Sequence, residues 1–259
     1  MIPDAFRTVD GRTVPAVTAA EMRDVDHVAV ETIGVGVLQM MEHAGRGLAL
    51  EALSLLDGDS VGGSGPRAPR HTAAPIPDEP VVVLAGAGGN GGGGLCAARH
   101  LANRGVPVRV VLDRDPGALD GPAATHLSIL ESMQIDVERG PDATATVAPS
   151  VILDALVGYG VDGALRGTSA ALAGLANETS APTLSLDVPS GLDATTGDRP
   201  GTVVDADAVL TLALPKTGLD ADPAPVLADI GLPAAVYEAL DIPYESPFDR
   251  RFRVRLVRS

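Results

Sequence analysis

Val81-Val-Val-Leu-Ala85-Gly86-Ala-Gly-Gly-Asn90-Gly-Gly-Gly-Gly94-Leu95-Cys-Ala-Ala-Arg-His-Leu101 is the stretch that decides the fold. Val81 to Ala85 is long enough for a buried strand and too short for a helix. Gly86 to Gly94 carries seven glycines in nine residues. Gly94 to Arg104 then reads as a helix. Glycines in such a loop let backbone N–H groups approach an anion, and the helix that follows adds unpaired N–H groups and the positive end of its dipole. Gly86-x-Gly88-x-x-Gly91 fits a dinucleotide-binding fingerprint, with Asp113 about twenty residues on, at the end of the next expected strand. The same glycines would also let a helix pack closely on a sheet. Both readings stand at this point.

Outward from this stretch, short apolar runs alternate with helical ones. Strands are expected at Pro107–Leu112, Ile135–Glu138, Val151–Asp154, Thr183–Asp187, Ala208–Ala213 and Val226–Ala228. Helices are expected at Pro122–Met133 and between Gly167 and Asn177. That alternation implies right-handed crossovers, hence an α/β, Rossmann-like three-layer αβα sandwich with a mostly parallel central sheet over residues 81–240. Upstream, Thr18-Ala-Ala-Glu21 has the form of a capping box. It predicts a helix over Ala19–Ile33, with a second over Val37–Leu56, giving an N-terminal helical pair across 18–56. Residues 57–80 are rich in Gly and Pro without apolar periodicity and read as a flexible loop. Residues 241–259 form an Arg-rich tail; Arg250 to Ser259 holds five arginines and no acid. A solvated tail or an added edge strand is expected there. Residues 1–259 thus read as one domain.

Composition narrows the function. The chain has 259 residues, 45% of them apolar, a net charge of -15 and one cysteine. The acidity argues against nucleic acid or a membrane surface as a general partner, because those need a basic face. One cysteine rules out a disulfide framework and a cysteine-based zinc site. The first twenty residues lack a signal-peptide pattern and no run of 18 uncharged apolar residues occurs, so a cytoplasmic location is expected.

Two later strand ends carry acids. Val151-Ile-Leu-Asp154 runs into a second glycine-rich turn, Ala155 to Gly167, that contains Arg166. Leu184-Ser-Leu-Asp187 runs into Val188-Pro-Ser190-Gly191. In parallel sheets ligands bind outside the carboxyl ends of the strands. Asp154 and Asp187, with Asn90 and Ser190, would form an oxygen-rich cluster in the crevice of the first glycine loop. His43 and Cys96 fall among apolar residues and read as packing groups, and Lys216 as a structural or catalytic lysine at a strand end.

With these motifs in place, the sequence resembles the NAD(P)H-hydrate epimerases, the YjeF N-terminal domain family, from Thr18 to about Leu240. The resemblance rests on Ala20-Glu-Met-Arg-Asp-Val-Asp26, Met41-Glu-His-Ala-Gly45, the glycine loop running into Leu95–Leu101, the Asp154–Gly167 loop, Asp187-Val-Pro-Ser-Gly191, Pro215-Lys-Thr-Gly218 and Ala228-Asp-Ile-Gly231. It implies an isomerase that interconverts the R and S forms of hydrated NADH and NADPH, a repair step that lets a separate, S-specific dehydratase restore the cofactor. It implies substrate contacts at Gly89, Asn90, Gly91, Gly92, Gly93, Gly158, Tyr159, Gly160, Val161, Asp162, Gly163, Ala164 and Asp187, with Asp187 as the acid/base. It also implies a potassium ion held by Asn90, Asp154 and Ser190, and a homodimer is among the assemblies it allows.

Five positions depart from the family pattern: Gly89 stands where an Asn is usual and Gly93 where an Asp is usual, His43 replaces an Asn, and Val157 and Tyr159 replace the aromatic and the Thr common in the second loop. The two glycines keep open a catalytically degenerate nucleotide-binding or scaffold relative. The glycine fingerprint with Asp113 keeps open an NAD-dependent dehydrogenase.

Overall fold

The computed structural model describes residues 5–58, 76–143 and 148–258. Two short strands open the chain, β1 (Ala5–Thr8) and β2 (Thr13–Pro15). Helix α1 (Ala19–His27) starts at the expected capping box: Glu21 N–H donates to Thr18 Oγ1 over 3.2 Å, and Thr18 N–H donates to Glu21 Oε2 over 2.7 Å. Its last turns widen into a π-helix over Val28–Ile33, which Gly34 ends in a left-handed conformation. Helix α2 spans Val37–Leu56. The expected loop of 57–80 lies largely outside the described residues.

Next come β3 (Val81–Ala85), α3 (Gly89–Ala102), β4 (Val108–Leu112), α4 (Gly121–Ser132), β5 (Asp136–Arg139) and β6 (Val151–Ala155). The chain continues through α5 (Gly167–Glu178), β7 (Thr183–Leu186), β8 (Ala208–Leu212), β9 (Val226–Ala228), α6 (Ala234–Glu238) and β10 (Arg253–Arg258).

One ten-stranded sheet has the order β2-β1-β10-β9-β8-β7-β6-β3-β4-β5. Every pairing from β9 through β5 is parallel, and those of β10, β1 and β2 are antiparallel. Alternate residues of each parallel strand face opposite layers, so strands buried on both sides read as unbroken apolar runs. Val81, Val83 and Ala85 pack with Leu48 of α2, Leu95 of α3 and Leu130 of α4. Val82 and Leu84 pack on the other side with Leu172 and Ala173 of α5. A third cluster joins Met22 and Val25 of α1, Val236 of α6, and Val254 and Leu256 of β10.

Chain direction across this sheet positions the site. From β3 the chain runs outward to β4 and β5, then returns to β6 on the other side of β3. The β3 and β6 loops therefore diverge and leave a crevice between them, the topological switch point at which open α/β sheets bind ligands.

The structure corrects two expectations. Helix α3 begins at Gly89 and not at Gly94, so most of the glycine run is helix. The arginine-rich end is neither a free tail nor an edge: β10 lies inside the sheet, between β9 and β1. Among the described residues no helix is long and apolar enough to cross a membrane.

Candidate active site

The switch-point crevice opens into a cavity of about 520 Å³. Its walls come from the β3 loop (Ala87 to Asn90), the β6 loop (Leu156 to Gly160), Asp187 after β7, and Lys216. Helices α1 and α2 form the lid side through Met22, Asp26, Met40 and Met41.

Asp187 is its chemical centre. The residue has φ 71°, a left-handed conformation that side chains other than glycine adopt at a cost and that Asp tolerates better than most. This turn aims the carboxylate across the strand ends. Tyr159 N–H donates to Oδ2 over 3.1 Å and Leu212 N–H reaches Oδ1 over 3.4 Å. Lys216 Nζ pairs closely with Oδ1 and also donates to the Leu212 carbonyl over 3.0 Å. Lys216 is fully buried and Asp187 is 3% exposed. Two opposite charges taken out of water together are tolerable because each supplies the other's counter-ion. The Lys216 ammonium also lies 5.6 Å from the centre of the Tyr159 ring.

A second acid faces this pair. The Tyr159 hydroxyl donates to Asp26 Oδ2 in a short hydrogen bond. Burial pushes the Asp26 carboxyl above its ordinary range, against the pull of that hydrogen bond and of Lys216. Burial, with Asp26 beside it, likewise drives the Tyr159 phenol upward. Tyr159 thus stays a neutral donor.

Asp154 and Ser190 lie behind the cavity wall. Asp154 is wholly buried and accepts from Ser185 Oγ (2.7 Å), Ser190 Oγ (2.6 Å) and Ser190 N–H (2.9 Å). Val157 N–H donates to Ser190 Oγ over 2.9 Å, which ties the β6 loop to the turn after β7. Burial raises the Asp154 carboxyl, and the Ser190 contacts oppose the rise. Among the described residues all its hydrogen-bond partners are neutral, and no cationic side chain pairs with it. Asn90 Nδ2 is buried without a hydrogen-bond partner among the described residues. The two ends of an amide exchange by a half-turn, so that position can equally present an oxygen. A buried carboxylate with serine hydroxyls against it offers oxygen donors of the kind a hard cation takes.

Of the residues expected at the site, Gly89, Asn90, Gly158, Tyr159, Gly160 and Asp187 line the cavity. Val161, Asp162, Gly163 and Ala164 do not. Arg166 is exposed and is the N-cap residue of α5. Gly91, Gly92 and Gly93 do not line the cavity either. They are buried in α3, where a Cβ at Gly91 would stand 1.7 Å from the Gly86 carbonyl oxygen and one at Gly93 would stand 2.7 Å from Leu186 Cδ2. Close packing thus accounts for four glycines of the run: Gly91 against the Gly86 backbone, Gly92 against Met41 of α2, and Gly93 and Gly94 against the sheet. Asp113, the acid at the fingerprint's spacing, is bound by Arg114 and Ser169.

Asp26 is the member sequence reasoning missed, because a single acid in an amphipathic helix carries no local signal. Cys96 lies apart from the cavity, near Glu42 and His100. Burial pushes its thiol up to about 12, and Arg99 already pairs with Glu42.

Residues 37–218 match the family model described as YjeF-related protein N-terminus. The chain belongs to this family. It is 42% identical over 258 residues to a protein of Dehalogenimonas lykanthroporepellens named NAD(P)H-hydrate epimerase, covering 98% of both chains. It is 37% identical over 244 residues to the bifunctional NAD(P)H-hydrate repair enzyme Nnr of Salinibacter ruber, covering 86% of this chain and 42% of that one. The crystal structure of yeast ynu0 superposes with a TM-score of 0.76 at 18% identity, over 93% of this chain and all of that one, and so shares the fold of this YjeF_N member.

Proposed function

We propose that this protein is an isomerase that interconverts the R and S forms of hydrated NADH and NADPH. The single observation carrying this reading is the buried Asp187–Lys216 pair at the mouth of the β3–β6 crevice, in a chain similar over its whole length to a named NAD(P)H-hydrate epimerase.

Inverting the hydrated carbon, C6, requires the hydroxyl to leave and return, or the ring to open and close, and either route needs a group that gives and takes a proton. Asp187 is that group. Its left-handed backbone fixes the carboxylate, Lys216 holds Oδ1 and balances its charge, and Oδ2 lies toward Gly158 and Asn90. Tyr159, held by Asp26, orients the substrate ring. The first N–H groups of α3, those of Gly89 and Asn90, which no side chain caps, hold the pyrophosphate. Net charge does not oppose this, since local amides and not the distant surface set affinity.

Potassium would be held by Asn90, Asp154 and Ser190. It would supply a counter-ion for Asp154 and stiffen the two loops that Ser190 joins. A separate dehydratase acting on the S form consumes the product, in the cytoplasm, where reduced nicotinamide cofactors are used.

To test the reading, purified R-epimer is mixed with an S-specific dehydratase and recovery of reduced cofactor is followed. The protein accelerates recovery over spontaneous epimerisation, and Asp187→Asn lowers the rate by about 10²–10⁴-fold. Replacing potassium with a bulky organic cation slows the wild type. No acceleration by the wild type sinks the reading, and indifference to the cation sinks the potassium site alone.

A further inference from the structure

Arg114 is the charged residue at the far end of the cavity, and the mechanism above leaves it unused. It follows β4, and the strand order β7-β6-β3-β4 sets it three strand spacings, about 14 Å, from the Asp187 end. Both ends open into the same cavity. A ligand that reaches both must therefore have two ends itself.

Asp113 holds the guanidinium in place. Arg114 Nε donates to Asp113 Oδ1 over 2.9 Å and Nη2 donates to Oδ2 over 3.2 Å. Ser169 Oγ, from the first turn of α5, donates to Oδ2 over 2.7 Å. Asp113 N–H is bonded to the Ala85 carbonyl over 3.1 Å, which pins this corner to the end of β3. The Asp113 side chain is 3% exposed and the Arg114 side chain 50%. The acid is thus buried and engaged, while the half-exposed arginine lines the same cavity as Ala87, Gly88 and Gly89.

In dinucleotide-binding sheets, a free acid at this strand end accepts a hydrogen bond from the ribose 2′-hydroxyl, whereas an arginine there accommodates a 2′-phosphate. A guanidinium braced from behind is suited to that task, since its planar fork meets phosphate oxygens with little further ordering. The geometry points to Arg114 as a subsite for the 2′-phosphate of the substrate's adenosine half, with Asp113 and Ser169 as positioning residues. This rests on the hydrated NAD(P)H reading above and gives the site a preference for the phosphorylated substrate.

The test is calorimetric titration of the full chain with adenosine 2′,5′-bisphosphate and with adenosine 5′-monophosphate. The wild type binds the bisphosphate at least tenfold more tightly. Arg114→Ala brings the ratio of dissociation constants to within twofold of one, and Arg114→Lys keeps at least a threefold preference. Ser169→Ala reduces the ratio less than Arg114→Ala does. A wild-type ratio near one, or an undiminished ratio in Arg114→Ala, overturns the subsite. The epimerisation assay separates the two ideas: bisphosphate preference without epimerisation keeps the subsite and refutes the enzyme, and epimerisation without the preference does the reverse.

Discussion

The acids of the site differ in what they face, and this sets what each can do. Asp187 has a buried ammonium, Asp154 only neutral donors, and Asp26 a phenol in a half-dry wall. For Asp26 the raised carboxyl has a consequence for stability. A group whose proton is held more tightly in the fold than in the open chain favours the fold at low pH, and that advantage is lost as pH rises from about 3.8 through the folded value. At neutral pH the ionised Asp26 is therefore a cost. Asp26→Asn removes the charge and keeps an acceptor for Tyr159. It should raise the melting temperature measurably at pH 7 and leave it unchanged near pH 3. Equal melting at pH 7 would refute the assignment. Asp154, Asp187 and Ser190 were legible in the sequence because each ends a strand or follows one closely. Asp26 and the burial of Lys216 were not, because they depend on chain segments meeting far from their neighbours: Val17 bridges to Lys216, and α1 folds over the strand ends.

At the scale of elements, α2 and α3 meet without room for side chains. A Cβ at Gly45 would stand 2.5 Å from the Cys96 Cβ and 2.7 Å from the Gly93 carbonyl. The family's usual acid at position 93 would drive into Leu186, whereas a Cβ at Gly89 meets only Met41 Cε at 3.9 Å. Gly93→Asp should lower stability by ~1–3 kcal/mol or more, from overpacking and a buried charge, while Gly89→Asn changes it by under ~0.5 kcal/mol; urea midpoints measure both. Comparable midpoints for the two variants would contradict this packing. It also sets the start of α3. Glycine is a poor helix former, so by propensity alone Gly89 to Gly94 reads as loop. Tertiary contact with the sheet overrides that propensity, and no local pattern reports it. The buried parallel strands were readable, being continuous apolar runs. The short β1 and β2 gave no such pattern.

Over the whole molecule, the parallel sheet holds the site and the antiparallel strands close its other side. Strand β10 buries Val254 and Leu256, Arg253 pairs with Glu51 of α2, and Arg258 donates to the Leu219 carbonyl. Losing two buried aliphatic side chains costs about 3–6 kcal/mol, a large part of the ~5–15 kcal/mol that holds a typical domain. A chain cut before Arg253 should therefore melt at least about 6 °C lower by circular dichroism, the low end of what ~3 kcal/mol implies for this length. Amides of β1 and β9 should exchange faster in it. An unchanged melt would show β10 to be dispensable.

The register Phe6↔Arg258 joins segments from opposite ends of the described chain. Contacts so distant in sequence form slowly, because a long loop must close before any of them is gained. During synthesis, β1 therefore waits until the residues of β10 have been made. For that interval its backbone is an open strand edge, and the nascent chain is at its most prone to pair with a neighbour.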